Sequence, residues 1–84
     1  MHYEEIGDKV EMIALFREGR LQPLKFRWRD RVYRIERVNG EWVTDEGRTR
    51  HDHFSVMTSG PDVYEVMYNR DSRVWTLSRV CLVG

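Results

Sequence analysis

Four cationic side chains, Lys25, Arg27, Arg29 and Arg34, recur among rings and β-branched residues in the segment from Leu24 to Val38, Leu-Lys-Phe-Arg-Trp-Arg-Asp-Arg-Val-Tyr-Arg-Ile-Glu-Arg-Val. Alternation of period two sends aromatics to one face of a β-hairpin and guanidinium groups to the other. A row of such groups can meet phosphates spaced along DNA or RNA, and a nearby exposed ring can stack a base. Trp42 is the candidate ring, because it follows Asn39-Gly40 and precedes a wholly polar stretch from Thr44 to Arg50. The competing reading is a solvated face, with the arginines laid on neighbouring rings or paired with Asp30, Glu36 or the acidic N-terminal segment.

The remaining chemistry-bearing residues promise less. His51-Asp52-His53 places two imidazoles at i and i+2, the same side of a strand, and Cys81 could complete a zinc-like set only if the fold brought it there. Two ordinary histidines at the start of a strand explain the pattern as well, so no metal is expected. Ser55, His53 and Asp52 lie too close in sequence to form a triad by strand geometry. With no glycine-rich phosphate loop and no paired-carboxylate motif, the residues point away from an enzyme and call for no cofactor.

Composition bounds the rest. Eighty-four residues make one domain, whose short chain must build its core from three Trp, four Tyr and three Phe. Trp28, Trp42 and Trp75 each occupy a period-two position with apolar company, so core packing is the ordinary role for them. A lone cysteine cannot form a disulfide within the chain and reads as a small buried hydrophobe, which fits a reducing compartment. No signal peptide, lipidation motif or long apolar run is present, so the expected setting is the cytoplasm and not a membrane. Fourteen basic and fourteen acidic residues cancel overall, yet residues 25–50 hold eight of the basic and five of the acidic ones. That local excess creates a positive potential whatever the total charge is. Only two of the fourteen cations, Lys9 and Lys25, are lysines, and arginine suits planar, bidentate contacts better.

These side chains must be positioned by strands. Expected are six in meander order: about residues 9–17, the two arms of the Leu24–Val38 hairpin, His53–Thr58, Val63–Asn69 and Val74–Leu82. Arg29-Asp30 or Asp30-Arg31, Asn39-Gly40, Ser59-Gly60-Pro61-Asp62 and Arg70-Asp71-Ser72 supply the turns. Residues 8–18 admit a second reading, a helix with Asp8 and Glu11 as a capping box and Gly19 as its stop, although Glu18-Gly19 is also a hairpin turn. An all-β chain of this size hides its edges by curling into a small barrel or strongly curved sheet, with an open sheet backed by an N-terminal helix as the alternative. Phe26, Tyr33, Ile35, Tyr64, Val66, Trp75 and Leu77 form the expected core.

Phe26-Arg27-Trp28-Arg29-Asp30-Arg31 with Tyr33-Arg34-Ile35 closely resembles the Phe-x-Trp-Arg-Gly-Arg-x-Tyr-x-Val signature of a small bacterial domain family of unknown function. The similarity continues through Val38, Trp42, Phe54-Ser55-Val56, Val63-Tyr64-Glu65-Val66 with Tyr68, and Trp75-x-Leu77-x-Arg79-Val80, nearly the whole chain. The resemblance implies a domain that occurs alone or appended to the C-terminal side of Y-family DNA polymerase-like proteins of damage-induced mutagenesis. It implies no catalytic residue. An extended opening segment before a Gly-x-Pro, matched here by Gly19 and, two residues late, Pro23, favours the strand reading of residues 9–17. Asp30 replaces the turn glycine, and the aromatics expected after Trp42 are absent.

The leading expectation is therefore a non-enzymatic bacterial binding module whose basic hairpin, Lys25, Arg27, Arg29 and Arg34 with Trp42, touches DNA, RNA or a DNA-bound protein. A protein-interaction adaptor, acting through a sheet edge or an aromatic patch, is the alternative.

Overall fold

A computed structural model describes residues 2–83, and every element in it is a β-strand. The strands are β1 (His2–Arg17), β2 (Arg20–Trp28), β3 (Arg31–Arg34), β4 (Arg37–Glu46), β5 (Thr49–Met57), β6 (Val63–Asn69) and β7 (Val74–Leu82). They form one antiparallel sheet in the order β3-β2-β1-β7-β6-β5-β4, which does not close into a barrel. The all-β expectation holds in its curved-sheet form, with seven strands rather than six and no N-terminal helix. Among the described residues no helix is long and apolar enough to cross a membrane.

Residues 8–17 become strand because their apolar side chains do more in a sheet. Val10, Met12 and Ala14 alternate toward the core, whereas a helix would scatter them. β1 is long enough to serve two neighbours. His2 to Val10 pairs with β7, and Glu11 to Arg17 pairs with β2. A register shift between Glu5 and Asp8 surrounds Gly7, whose φ of 76° suits the bulge.

The turns follow local chemistry. Glu18 and Gly19 (φ 52° and 76°) and Arg29 and Asp30 (φ 51° and 63°) both make two-residue reversals with positive φ throughout, the type I′ form that matches strand twist. After β6, Asn69 Oδ1 accepts the backbone N–H groups of Asp71 and Ser72. Asn39-Gly40 is not a turn. It lies inside β4 at a register shift, with Val38 opposite Val56 and Gly40 opposite Ser55, so Asn39 is the extra residue of a bulge. β3 and β4 run in the same direction, so the chain does not reverse between them: at Ile35-Glu36 it passes from one edge of the sheet to the other. Ile35 N–H donates to Leu24 C=O and Glu36 N–H to Met57 C=O, so this corner is hydrogen-bonded to both sides. The stretch from Thr44 to Arg50 is likewise not a loop but the end of β4, a turn at Gly47-Arg48, and the start of β5.

The inner face carries Phe26, Phe54, Val56, Tyr64, Val66, Trp75, Leu77 and Val80. Five of the seven expected core residues are buried, while Tyr33 and Ile35 are partly buried against them. Cys81 is buried on β7. Phe26 lies 5.1 Å from Tyr33, nearly parallel, and 5.8 Å from Tyr64 across the fold. β2 and β6 are three steps apart in the sheet, more than 14 Å in a flat one at about 4.8 Å per step, so this ring contact records the curl.

Phe26, 1% exposed, is the residue that joins β2 to β6 across the curl. Phe26→Ala should cost about 3–5 kcal/mol in denaturant unfolding, against a typical total of about 5–15. Val32→Ala, on the exposed side of the neighbouring strand, should cost about 0.5 kcal/mol or less. Similar losses for the two would refute this assignment of inner and outer faces.

Candidate binding surface

With Phe26 and Tyr33 turned inward, period two sends their neighbours outward. Lys25 stands opposite Arg34 and Arg27 opposite Val32 on β2 and β3, while Ile13 and Glu11 continue the same two rows onto β1. Lys25, Arg27 and Arg34 therefore share one outer face, and Arg17 lies farther along β1 at the hairpin end. Glu11 is the acidic residue among these paired positions, and its nearest approach to Arg27 is 3.9 Å between two well-exposed groups. An exposed pair at that separation contributes little, so the Arg27 charge stays available.

Two members of the sequence-derived site lie elsewhere. Arg29 occupies the left-handed first position of the turn, and its guanidinium packs 4.5 Å over the Trp28 ring, with Nη2 3.6 Å from Asp8 Oδ2. The same carboxylate accepts the Trp28 indole N–H at 2.9 Å. Arg29 is thus engaged in fixing the hairpin tip to β1. Trp42 sits in β4, at the opposite edge of the sheet from β3, where its ring stacks on His53 at 5.2 Å and 4°. The curved sheet does not bring it to the cationic row.

Sequence reasoning did not identify Arg17, Ile13, Leu15 or Val32 as part of this face. Ile13 and Val32 are more than half exposed, and Leu15 is 39% exposed. Alternation alone would not have found the β1 residues: Leu24 is an extra residue in β2, so counting by twos backward from Lys25 leads through Pro23 and Leu21 to the inward Phe16, Ala14 and Met12 instead.

The histidines form a separate feature on the outer face of β5. His51 and His53 ring centroids are 6.3 Å apart, but Asp52 points to the other face, where Arg70 Nε and Nη2 donate to its carboxylate at 2.7 and 2.9 Å. Cys81 pairs with Val63 at the far end of the neighbouring strands, distant in register from His51 opposite Asn69. Among the described residues no group of three His, Cys, Asp or Glu side chains could hold a metal ion. Thr44 Oγ1 lies 2.7 Å from His53 Nε2. Burial, and after it the charge of His51, lower the His53 pKa from the ordinary 6.5, against the opposing pull of Glu65 and Asp52.

Residues 2–81 match a family model described as a domain of unknown function, DUF6504. No curated protein and no solved structure matches the chain.

The His53 shift has a testable sign. Above about pH 6.5 the imidazole is neutral in both folded and unfolded chains, and below it the unfolded chain takes up the proton first. Acidification through this range should lower the melting temperature by a component that His53→Gln lacks. An NMR titration should place the His53 midpoint below that of an exposed histidine, and a midpoint above 6.5 would contradict the burial argument.

Proposed function

The chain belongs to the DUF6504 family, a domain of unknown function, and we propose that it is a non-enzymatic binding module that contacts nucleic acid through the outer face of β1, β2 and β3. The observation that carries this reading is the alignment of Lys25, Arg27 and Arg34 on one face, with Glu11 as the opposing acid among their paired neighbours. The side chains there alternate at a spacing suited to successive phosphates, and arginine donors meet phosphate oxygens well. With Trp42 on the opposite edge and no ring among these outward positions, base stacking has no platform here. The contact is then to the backbone and indifferent to sequence. The resemblance to domains appended to Y-family polymerase-like proteins supports a setting in bacterial DNA repair or mutagenesis, in the cytoplasm.

A protein partner is the second reading, and a specific observation favours it. Ile13, Leu15 and Val32 stand exposed among the cations, an apolar strip with a charged margin of the kind that protein interfaces use. Salt distinguishes the two. Phosphate contacts release counterions and weaken steeply with ionic strength, whereas apolar burial does not.

Titration with a fluorescent single-stranded oligonucleotide should give a Kd in the micromolar range or weaker at physiological salt, since the chain as a whole is neutral. Arg27→Ala and Arg34→Ala should each lower the slope of log K against log salt by about 0.7, with no change in base preference. The double variant, still folded, should lose binding. If the wild-type chain binds neither single- nor double-stranded nucleic acid at low salt, this reading fails and the protein partner takes its place.

A further inference from the structure

The sheet does not close on itself. β3 spans only Arg31–Arg34 and, with the Ile35 N–H bond to Leu24 C=O, covers the C-terminal half of β2, leaving Arg20 to Pro23 as a free edge. The other free edge is β4. The two face each other, for Arg20 Nη2 and Glu41 Oε1 meet at 2.9 Å across the gap. Yet no Cα of β2 comes within 8 Å of a Cα of β4. Directly paired antiparallel strands place their Cα atoms about 4.5–5.5 Å apart. One strand between two others needs roughly twice 4.8 Å. The two edges are therefore too far apart for a ladder, while the Arg20–Glu41 contact keeps them within the reach of two long side chains, a range that includes the spacing for one interposed strand.

Both edges present their main-chain groups to this gap. In the two-residue hairpin at Glu18-Gly19, Arg17 and Arg20 exchange both hydrogen bonds, which turns the N–H and C=O of Leu21 and the C=O of Pro23 away from β1. By the same alternation from Glu46 opposite Thr49, the N–H and C=O groups of Glu41, Val43 and Asp45 point away from β5. The slot opens on both sides of the sheet, in hollows of about 450 and 510 Å³ that share Arg20, Leu21, Glu41 and Phe54. The outer hollow mixes polar Arg17, Glu18 and Gln22 with Leu21, Pro23, Val38 and Phe54. The inner one is lined by Phe16, Leu21, Phe54 and Tyr68, with the Arg70 guanidinium at its margin. Phe16 is 70% exposed, the most exposed of the large apolar residues, and it faces this hollow.

We infer that the slot between β2 and β4 receives an extended peptide segment of a partner protein, which adds as an eighth strand and bonds to both edges at once. Main-chain bonds would supply the affinity, as in other strand additions, and alternation would supply the selectivity. Side chains turned inward meet Phe16, Phe54 and Tyr68, so apolar residues are required at every second position, while outward positions take polar ones. The inference concerns a different surface from the cationic face and stands or falls separately from nucleic-acid binding.

The probe is a panel of capped heptapeptides alternating Thr with Val, Leu or Phe, with a lysine at each end, followed by NMR on the full chain. Binding should shift the amides of Leu21, Glu41, Val43 and Asp45 and slow their hydrogen exchange, leaving those of Lys25 and Arg27 unchanged. Val43→Pro deletes a donor that points into the slot without removing a bond to β5, and should weaken binding at least roughly tenfold. Phe16→Ser, at an exposed position, should do the same through the inner hollow, which keeps the test open if the proline variant does not fold. Peptide binding that survives both substitutions overturns the inference, as does failure of the whole panel at millimolar concentration. So does a concentration-dependent dimer that protects the same amides without peptide, since the occupant is then a second copy of the chain.

Discussion

The fold depends on the contact that Phe26 makes with Tyr33 on one side and Tyr64 on the other. A seven-stranded sheet left flat would expose one entire apolar face, and a chain of 84 residues has no second layer to cover it. Folding the sheet onto itself is the available solution, and the three rings are where its β2-β3 end meets β6. With Phe26 1% exposed and Val56, Val66 and Leu77 fully buried, the curl creates an interior from a single layer. Everything outward follows by alternation. Lys25, Arg27 and Arg34 are external because Phe26 and Tyr33 are internal.

The curl is asymmetric, and the asymmetry comes from the short β3 and its corner at Ile35-Glu36. β3 extends four residues before the chain crosses to Met57 on β5, so half of β2 is left without a partner. A longer β3 would have covered Arg20 to Pro23 and removed one wall of the slot. The bulge at Asn39-Gly40 then lets β4 follow β5 to its end. Its other side meets solvent and the Arg20–Glu41 bridge, an exposed ion pair that limits the width of the gap while contributing little to stability.

Much of this was legible in the sequence wherever alternation ran unbroken. The strands Val63–Asn69 and Val74–Leu82 and the Arg29-Asp30 reversal occur where the pattern places them. Buried Phe26, Tyr64, Val66, Trp75 and Leu77 were likewise visible as the inward set. The pattern failed where one residue type serves two geometries. Asn39-Gly40 is as good a bulge as a turn, and polar Thr44 to Arg50 can be loop or a strand with one face in water. The missing core members Phe54, Val56 and Val80 lie on β5 and β7, and their burial depends on which strands end up opposite them, a long-range matter that no local window contains. For the binding surface, shared orientation of Lys25, Arg27 and Arg34 was readable from spacing. The loss of Arg29 to Trp28 and Asp8 was not, because Asp8 is a partner 21 residues away. Trp42 was misjudged for the same reason: its distance from the row depends on sheet order.

Free strand edges ordinarily invite aggregation, and proteins blunt them. This sheet does so without covering them, by turning its two open edges toward each other. A sheet edge from another molecule would have to enter between β2 and β4, and Pro23, whose ring removes an N–H from the β2 wall, leaves that side poor in donors. Glu41 and Asp45 add charge to the β4 wall at positions that alternate with its main-chain groups facing β5. A lone extended segment is narrower than a sheet edge and can bond to Leu21 on one wall and to Glu41, Val43 and Asp45 on the other while its inward side chains cover Phe16. The geometry that protects the edges from sheet-to-sheet pairing is therefore also the geometry that selects a single strand.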